Sequence, residues 1–133
     1  METVLKPGMV YEKTETVSEK NIASTYQSGL VDVYATPAMV ALMENVSLNC
    51  VDPYLPDGWL TVGTSLDVKH FAATPLGMTV RAKAELLLVE GRNLTFKVEV
   101  YDEKEKIGEG THGRFIINRD RFMARVAEKK NKE

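Results

Sequence analysis

Apolar and polar residues alternate along much of this chain, and the alternation predicts five β-strands. In a strand, every second side chain lies on the same face, so strict alternation indicates one buried face and one exposed face. The predicted strands span residues 10–17, 59–71, 78–90, 94–101 and 107–118. Short, polar or glycine-containing connections join the last four, which predicts an antiparallel run.

The alternation also predicts which strand residues share a face. In the second strand, one face carries Val62, Thr64, Leu66, Val68 and His70. In the third strand, the corresponding face carries Val80, Ala82, Ala84, Leu86 and Leu88. In the fourth strand, it carries Leu94, Phe96, Val98 and Val100.

Residues 36–50 follow the helical period instead. We expect Thr36 to be the N-cap and Pro37 to occupy the first helical position, where a missing N–H costs nothing. At 100° per residue, one broad arc is largely apolar and consists of Met39, Val40, Leu42, Met43, Val46, Ser47 and Cys50. Asn118 or Asp120 is a suitable cap for a short C-terminal helix, whereas residues 18–35 predict a partly helical connection or a lid.

These elements predict an α+β fold in which one long helix covers one face of an antiparallel sheet. A chain of 133 residues is expected to form one domain, covering residues 1–133. The net charge of −2 does not favour nucleic acid as a partner. No apolar run approaches the roughly 20 residues that cross a bilayer. The N-terminal residues do not resemble a signal peptide and there is one cysteine, so we expect a cytoplasmic protein that does not bind membranes.

Glu44 is the first candidate for chemistry, because it lies at the edge of the apolar arc beside Val40, Met43 and Ser47. Burial would raise the pKa of a carboxyl group at this position and would make it a suitable base or nucleophile. The alternative is that Glu44 lies on the exposed edge of the helix and has no chemical role.

His70 and Thr36 are the next two candidates. A histidine at the end of a strand can exchange protons near neutral pH, or it can be a hydrogen-bonded structural residue. A hydroxyl at a helix N-terminus can help to hold a carbonyl or an oxyanion, or it can cap the helix and do nothing more.

His112 and Arg114 share a face of the last strand, next to Gly110 and Gly113. Glycines allow a ligand or a second backbone to approach closely, and an arginine there could bind a phosphate or carboxylate. The alternative is a surface pair without function. Cys50 is expected to pack in the core, and the spacing of histidine and cysteine matches no metal site.

Together these residues resemble the hotdog-fold thioesterases, and in particular the fluoroacetyl-CoA thioesterase-like family. The resemblance covers roughly residues 10–125 and depends on four stretches in the family order. They are Ala35-Thr36-x-x-Met39-Val40-x-Leu42-Met43-Glu44, then Val68-x-His70-x-Ala72-Ala73-Thr74-Pro75-x-Gly77-x-Thr79-Val80, then Val89-Glu90-Gly91-Arg92-x-Leu94, and Ile107-Gly108-x-Gly110-Thr111-His112-x-Arg114.

The resemblance implies a hotdog fold, in which a five-stranded antiparallel sheet wraps around a central helix. It also implies a metal-independent acyl-CoA thioesterase without a cofactor, in which Thr36, Glu44 and His70 form the reacting centre. Gly63 and Arg114, with His112 beside them, are the implied ligand contacts. The implied assembly is a homodimer or a dimer of dimers, with sites at the subunit interface.

Two alternatives remain open from the sequence. One is a dimer that binds acyl-CoA without hydrolysing it, and the other is a hotdog hydratase or dehydratase, although the Asp/His loop of those enzymes is not found here. The chain also departs from the fluoroacetyl-specific pattern, because residues 21–35 contain no phenylalanine and offer Tyr26, Leu30 and Tyr34. The sequence therefore does not favour selectivity for fluoroacetyl groups.

Overall fold

The computed structural model describes residues 4–131 and confirms the predicted hotdog architecture. A five-stranded antiparallel sheet curves around one long helix, and a second helix follows the last strand. The elements are β1 (Val10–Thr16), α1 (Thr36–Val51), β2 (Trp59–His70), β3 (Thr79–Glu90), β4 (Asn93–Tyr101), β5 (Lys106–Asn118) and α2 (Arg119–Asn131). A short 3-10 turn, Asp52–Tyr54, ends α1.

The strand order is β1-β3-β4-β5-β2, so β1 and β2 are the two edges of the sheet. The helix α1 packs mainly against β3 and covers the inner face of the sheet. Its apolar arc supplies the helical half of the core, and the fully buried residues there include Met39, Met43, Val46 and Val51. The central strands supply the other half, and their predicted faces at Leu94, Phe96, Val98 and Val100 are confirmed.

The start of α1 differs from the prediction. Ala35 is the N-cap residue, no side chain caps the helix, and Thr36 is already helical. The predicted capping role of Thr36 is therefore wrong by one position. The backbone of Ala35 has the extended conformation of an N-cap, and the Thr36 hydroxyl is left available for another partner.

Two irregularities in the strands reverse the predicted alternation. The pairing of β2 with β5 shifts between Gly63 and Ser65, which leaves Thr64 without a partner. Thr61 and Gly63 therefore share the inner face with Leu66 and His70, and the prediction that Val62 and Thr64 lie on that face is wrong. An extra residue reverses alternation because the side-chain period of a strand is two.

The same effect occurs in β3, where the pairing with β4 shifts between Leu86 and Leu88. Val80, Ala82, Ala84 and Leu86 are fully buried as predicted. Beyond the irregularity, Val89 packs against the core and Leu88 is 50% exposed, so the prediction for Leu88 is wrong.

Residues 18–35 contain no helix and form a chain of turns and bends. Isolated bridges pair Ile22 with Tyr34, which closes the segment on itself, and Val33 with Pro75, which joins it to the turn between β2 and β3. The prediction of a partly helical connection is wrong. After β5, α2 begins as predicted, since Asn118 Oδ1 accepts the backbone N–H of Arg121 at 3.1 Å.

Candidate active site

Thr36 and His70 form one polar cluster at the beginning of α1. Thr36 is the first residue of α1 and His70 is the last residue of β2, and Thr36 Oγ1 lies 2.8 Å from His70 Nδ1. This distance is that of a hydrogen bond, with the proton on either partner according to the histidine tautomer. The structure therefore brings together two of the three residues predicted to react.

The second nitrogen of His70 is available for another group. Nε2 is buried and has no hydrogen-bond partner among residues 4–131. Burial lowers the pKa of His70 below its ordinary value, so the ring is neutral at pH 7. A buried ring nitrogen without a partner is costly, so His70 Nε2 is a suitable point for a hydrogen bond to a substrate or to another protein group.

A cavity of about 340 Å³ opens beside this pair. Its walls combine the 18–35 segment with the residues that follow β2, and they are Ala23, Ser28, Gly29, Val31, Val33, Tyr34, Thr36, His70, Phe71, Ala72 and Ala73. Tyr34 stands edge-on to His70 with ring centroids 6.4 Å apart, and its hydroxyl donates to Glu15 Oε2 at 2.5 Å. Burial raises the pKa of Tyr34, so the phenol remains neutral.

Of the aromatic and leucine residues that the sequence offered for a lid, Tyr34 lines the cavity. Tyr26 and Leu30 do not line it, and Leu30 is fully exposed. Phe71 also lines the cavity. Sequence reasoning missed this role because Phe71 was predicted as the last residue of a strand.

Glu44 belongs to a second cluster on the inner face of the sheet, with Gly63, His112 and Arg114. An ideal Cβ built at Gly63 would lie 2.9 Å from Glu44 Oε2, 3.3 Å from His112 Cε1 and 3.5 Å from Arg114 Nη1. The lack of a side chain at Gly63 therefore makes room for the Glu44 carboxylate. The structure brings all four of these predicted residues together.

The hydrogen bonds of His112 fix its tautomer. Arg114 Nη1 lies 3.1 Å from His112 Nε2, and His112 Nδ1 lies 2.7 Å from the carbonyl oxygen of Ser65. A guanidinium can only donate, so Nε2 accepts from Arg114 and the proton resides on Nδ1, which donates to Ser65. Burial and the charge of Arg114 lower the pKa of His112, which stays neutral. The interpretation of these two residues as a surface pair is therefore wrong, since both are buried.

The predictions for Cys50 and for the glycines of β5 have a clear structural outcome. Cys50 is buried in the core, as predicted, and burial raises the pKa of its thiol. Gly110 and Gly113 make room for the backbone and side chains of β2 at Val68 and Ser65, and not for a ligand.

Within the described residues, no group of three or more metal-ligating side chains could hold an ion. No helix in that part of the chain is long and apolar enough to cross a membrane.

The two clusters are separate within one chain. Thr36 and Glu44 are eight positions apart on α1, which corresponds to roughly 12 Å along the helix axis. On β2, Gly63 of the Glu44 cluster is seven positions before His70, the last residue of the strand. The chain therefore holds two separate polar clusters, and Glu44 does not reach the Thr36–His70 pair.

Sequence reasoning missed Thr61 and Asp52, which support the second cluster. Arg114 Nε donates to Thr61 Oγ1 at 2.8 Å, and Thr61 Oγ1 donates to Asp52 Oδ1 at 2.6 Å. In the sequence, Thr61 is only a threonine among the apolar residues of β2. Simple alternation with Leu66 and His70 would place Thr61 on the outer face, and the irregularity at Thr64 turns it inward.

Comparison with known proteins identifies the family of the chain. The model of the fluoroacetyl-CoA-specific thioesterase family matches residues 17–120, which is most of the chain. The chain belongs to this thioesterase family. This membership confirms the predicted resemblance and the prediction of a thioester hydrolase.

Individual relatives agree with that assignment. The fluoroacetyl-CoA thioesterase of Streptantibioticus cattleyicolor is 45% identical over 98 residues, which cover 74% of this chain and 70% of that protein. A solved structure of the fluoroacetyl-CoA thioesterase superposes with a TM-score of 0.88 at 36% identity and covers 94% of this chain and 97% of that chain. A thioesterase superfamily member from Thermus thermophilus superposes with a TM-score of 0.86 at 26% identity, covering 95% and 93%.

Proposed function

We propose that this protein hydrolyses a small acyl-CoA thioester to the free acid and CoA, with Thr36, Glu44 and His70 at the reacting centre. The observation that carries the proposal is the hydrogen-bonded Thr36–His70 pair at the edge of a cavity of about 340 Å³. The Nε2 atom of His70 has no hydrogen-bond partner among residues 4–131. A variant of the fluoroacetyl-CoA thioesterase solved in complex with acetyl-CoA superposes on this chain with a TM-score of 0.89 at 35% identity. Its ligand belongs to the proposed class of substrate.

We further propose that the active unit is a homodimer in which each site combines the Thr36–His70 pair of one protomer with the Glu44 cluster of the other. Two observations support this arrangement. The two polar clusters are too far apart to act within one chain, and β2 is an edge strand whose central residues, 63–67, are exposed. An exposed edge strand pairs readily with a second copy of itself.

Antiparallel pairing of two β2 strands around a two-fold axis makes the required juxtaposition. With the axis at Asp67 and with Thr64 as the extra, unpaired residue, Gly63 of one protomer lies opposite His70 of the other, and opposed residues share a face. Each dimer then has two equivalent sites, as two-fold symmetry requires. The Glu44 carboxylate becomes the partner of His70 Nε2, which selects the tautomer with the proton on Nε2 and the Thr36 hydroxyl donating to Nδ1.

The chemistry follows from these positions. The thioester carbonyl lies near the start of α1, whose positive end carries no capping side chain, and the helix dipole stabilises the developing oxyanion. Glu44 either attacks the carbonyl carbon or removes a proton from a water that attacks it. His70 orients Glu44 or the water through its Nε2–H, and Thr36 holds the imidazole in place. In the direct route, Glu44 passes the proton that it takes from the water to the departing thiolate. In the covalent route, the thiolate leaves as an anion and takes a proton when water opens the anhydride.

The route, covalent or direct, is distinguishable by a single turnover in ¹⁸O-labelled water. In the covalent route, the intermediate is an anhydride between Glu44 and the acyl group. Label that enters the Glu44 carboxylate supports this route and contradicts direct hydrolysis, in which the label enters only the acid product.

The first test of the activity measures free-thiol release from short, branched and aromatic acyl-CoAs. We expect release that disappears in His70→Ala, while circular dichroism shows an intact fold. The cavity of about 340 Å³, lined by small residues together with Tyr34 and Phe71, supports a small acyl group, and the panel identifies which one. Tight binding without thiol release would instead support a non-catalytic acyl-CoA-binding dimer.

A mixed dimer tests the shared site directly. Glu44→Gln and His70→Ala chains are each expected to be inactive alone. When the two are mixed, half of the dimers are heterodimers, and each has one site with both residues intact, so about a quarter of wild-type activity returns. If each site were built from a single chain, mixing would restore nothing.

A further inference from the structure

Arg114 is a buried cation whose direct partners are all neutral. Its side chain is 5% exposed, and no carboxylate within the described residues forms a salt bridge with it. The guanidinium donates from Nε to Thr61 Oγ1 at 2.8 Å, from Nη2 to the Thr61 carbonyl oxygen at 2.9 Å and from Nη1 to His112 Nε2. Two of its three bonds therefore end on one residue, Thr61.

The hydroxyl of Thr61 has a fixed direction. It has one proton, and that proton is donated to Asp52 Oδ1 at 2.6 Å, because an ionised carboxylate can only accept. The lone pairs of Thr61 Oγ1 are therefore turned towards Arg114 Nε. Asp52 thus balances the charge of Arg114 through Thr61, at a point where α1 ends and the chain turns towards β2.

The consequence reaches the proposed reacting carboxylate. Arg114 Nη1 keeps His112 Nε2 as an acceptor, and both groups surround the position above Gly63 that the Glu44 carboxylate also approaches. A rotation of the guanidinium would release His112 from its single tautomer and change the charge next to Glu44.

We propose that Thr61 is a positioning residue that, with Asp52, holds Arg114 in the orientation that fixes the His112 tautomer and the surroundings of Glu44. Thr61 touches neither substrate nor reacting atoms in this scheme. This inference rests on the proposed function for its effect on catalysis, but its effect on His112 requires no substrate.

The test compares Thr61→Val, which keeps the β-branched shape and loses the hydroxyl, with Thr61→Ser, which keeps the hydroxyl. The matched control is Thr95→Val, a half-buried threonine on β4 outside the network. Misplacement of an active-site group by about 1 Å can cost about a hundredfold, so we expect kcat to fall tenfold to a hundredfold in Thr61→Val. Thr61→Ser and Thr95→Val should stay close to wild type, and KM should change less than kcat.

The second readout is the ¹⁵N resonances of His112 in the full-length protein without substrate. The wild type should show a protonated Nδ1 and an unprotonated Nε2. In Thr61→Val, the two resonances should move towards each other as the tautomers exchange, and Thr61→Ser should restore the wild-type positions. Unchanged His112 resonances in folded Thr61→Val would overturn the proposal, whether or not activity falls. If the His112 resonances change in Thr61→Val but the wild-type protein releases no thiol, the result counts against the proposed function alone.

Discussion

Replacing Gly63 by alanine adds one methyl group at the point that the Glu44 carboxylate now approaches. The new Cβ would lie 2.9 Å from Glu44 Oε2, whereas ordinary van der Waals contact begins near 3.4 Å. Glu44 is a flexible side chain, so the strand stays in place and the carboxylate retreats by about half an ångström. The variant therefore moves a reacting group and leaves the fold alone.

The size of the effect follows from that displacement. If 1 Å of misplacement costs about a hundredfold in rate, half of that displacement costs about tenfold in kcat. Although kcat is expected to fall, the free energy of unfolding should rise. Gly63 does not have a positive φ, and alanine at such a position restricts the unfolded chain, which stabilises a protein by about 0.4–1 kcal/mol.

A double-mutant cycle with Glu44→Asp isolates the cause. Aspartate is one methylene shorter, so its carboxylate already lies away from the added methyl group. We expect Gly63→Ala to reduce thiol release about tenfold in the wild-type background and to have little further effect in Glu44→Asp. Thermal denaturation of all four proteins reports the fold. An equal loss in both backgrounds, or wild-type turnover in Gly63→Ala, would refute the steric argument.

Further predictions concern the reacting residues and the two histidines. Glu44→Gln should lose most of its turnover while the melting temperature stays near that of the wild type, and normal turnover would remove Glu44 from the mechanism. Thr36→Val should lower kcat because the bond to His70 Nδ1 is lost, whereas Thr36→Ser should retain most of the activity; equal losses would contradict the hydrogen-bond role. Burial lowers the pKa of both His70 and His112 below 6.5 in the folded protein. As the pH falls below 6.5, the unfolded chain therefore binds more protons at these two residues than the folded protein does. The stability from these two neutral rings is complete above pH 6.5 and decreases as the pH falls towards their folded-state pKa values. Melting temperatures measured between about pH 7 and 5 should fall, and the slope should be smaller in His70→Asn.

The order of the elements and most of the core were predictable, because alternation and helical periodicity follow directly from burial. Leu94, Phe96 and Val98 illustrate this, since each alternates with a more exposed residue in a regular strand. The predictions failed where one residue interrupts the period. The irregularities at Thr64 and Leu87 reverse the two faces, and nothing in the local sequence marks them.

The candidate site was predictable in its residues but not in its arrangement. The residue pattern made Thr36, Glu44 and His70 candidates, and the family resemblance joined them into one centre. The structure shows Thr36 paired with His70 while Glu44 lies with Arg114. The distance between the Thr36–His70 pair and the Glu44 cluster depends on where these residues lie along α1 and β2 in the folded chain. A sequence motif does not contain that information. The tautomer of His112 likewise depends on a guanidinium two residues away, whose direction is set by long-range hydrogen bonds.

The uncapped start of α1 limits how this protein could be stabilised by design. A serine at position 35 would supply the missing N-cap oxygen, which typically contributes about 1 kcal/mol. Ala35 is fully buried, so a charged aspartate at the same position would also carry a desolvation cost. Here the serine side chain would occupy the positive end of the helix and compete with the substrate's developing negative charge. A thermostability screen without an activity readout could therefore select Ala35→Ser although it impairs the enzyme, so designs of this protein should leave position 35 unchanged.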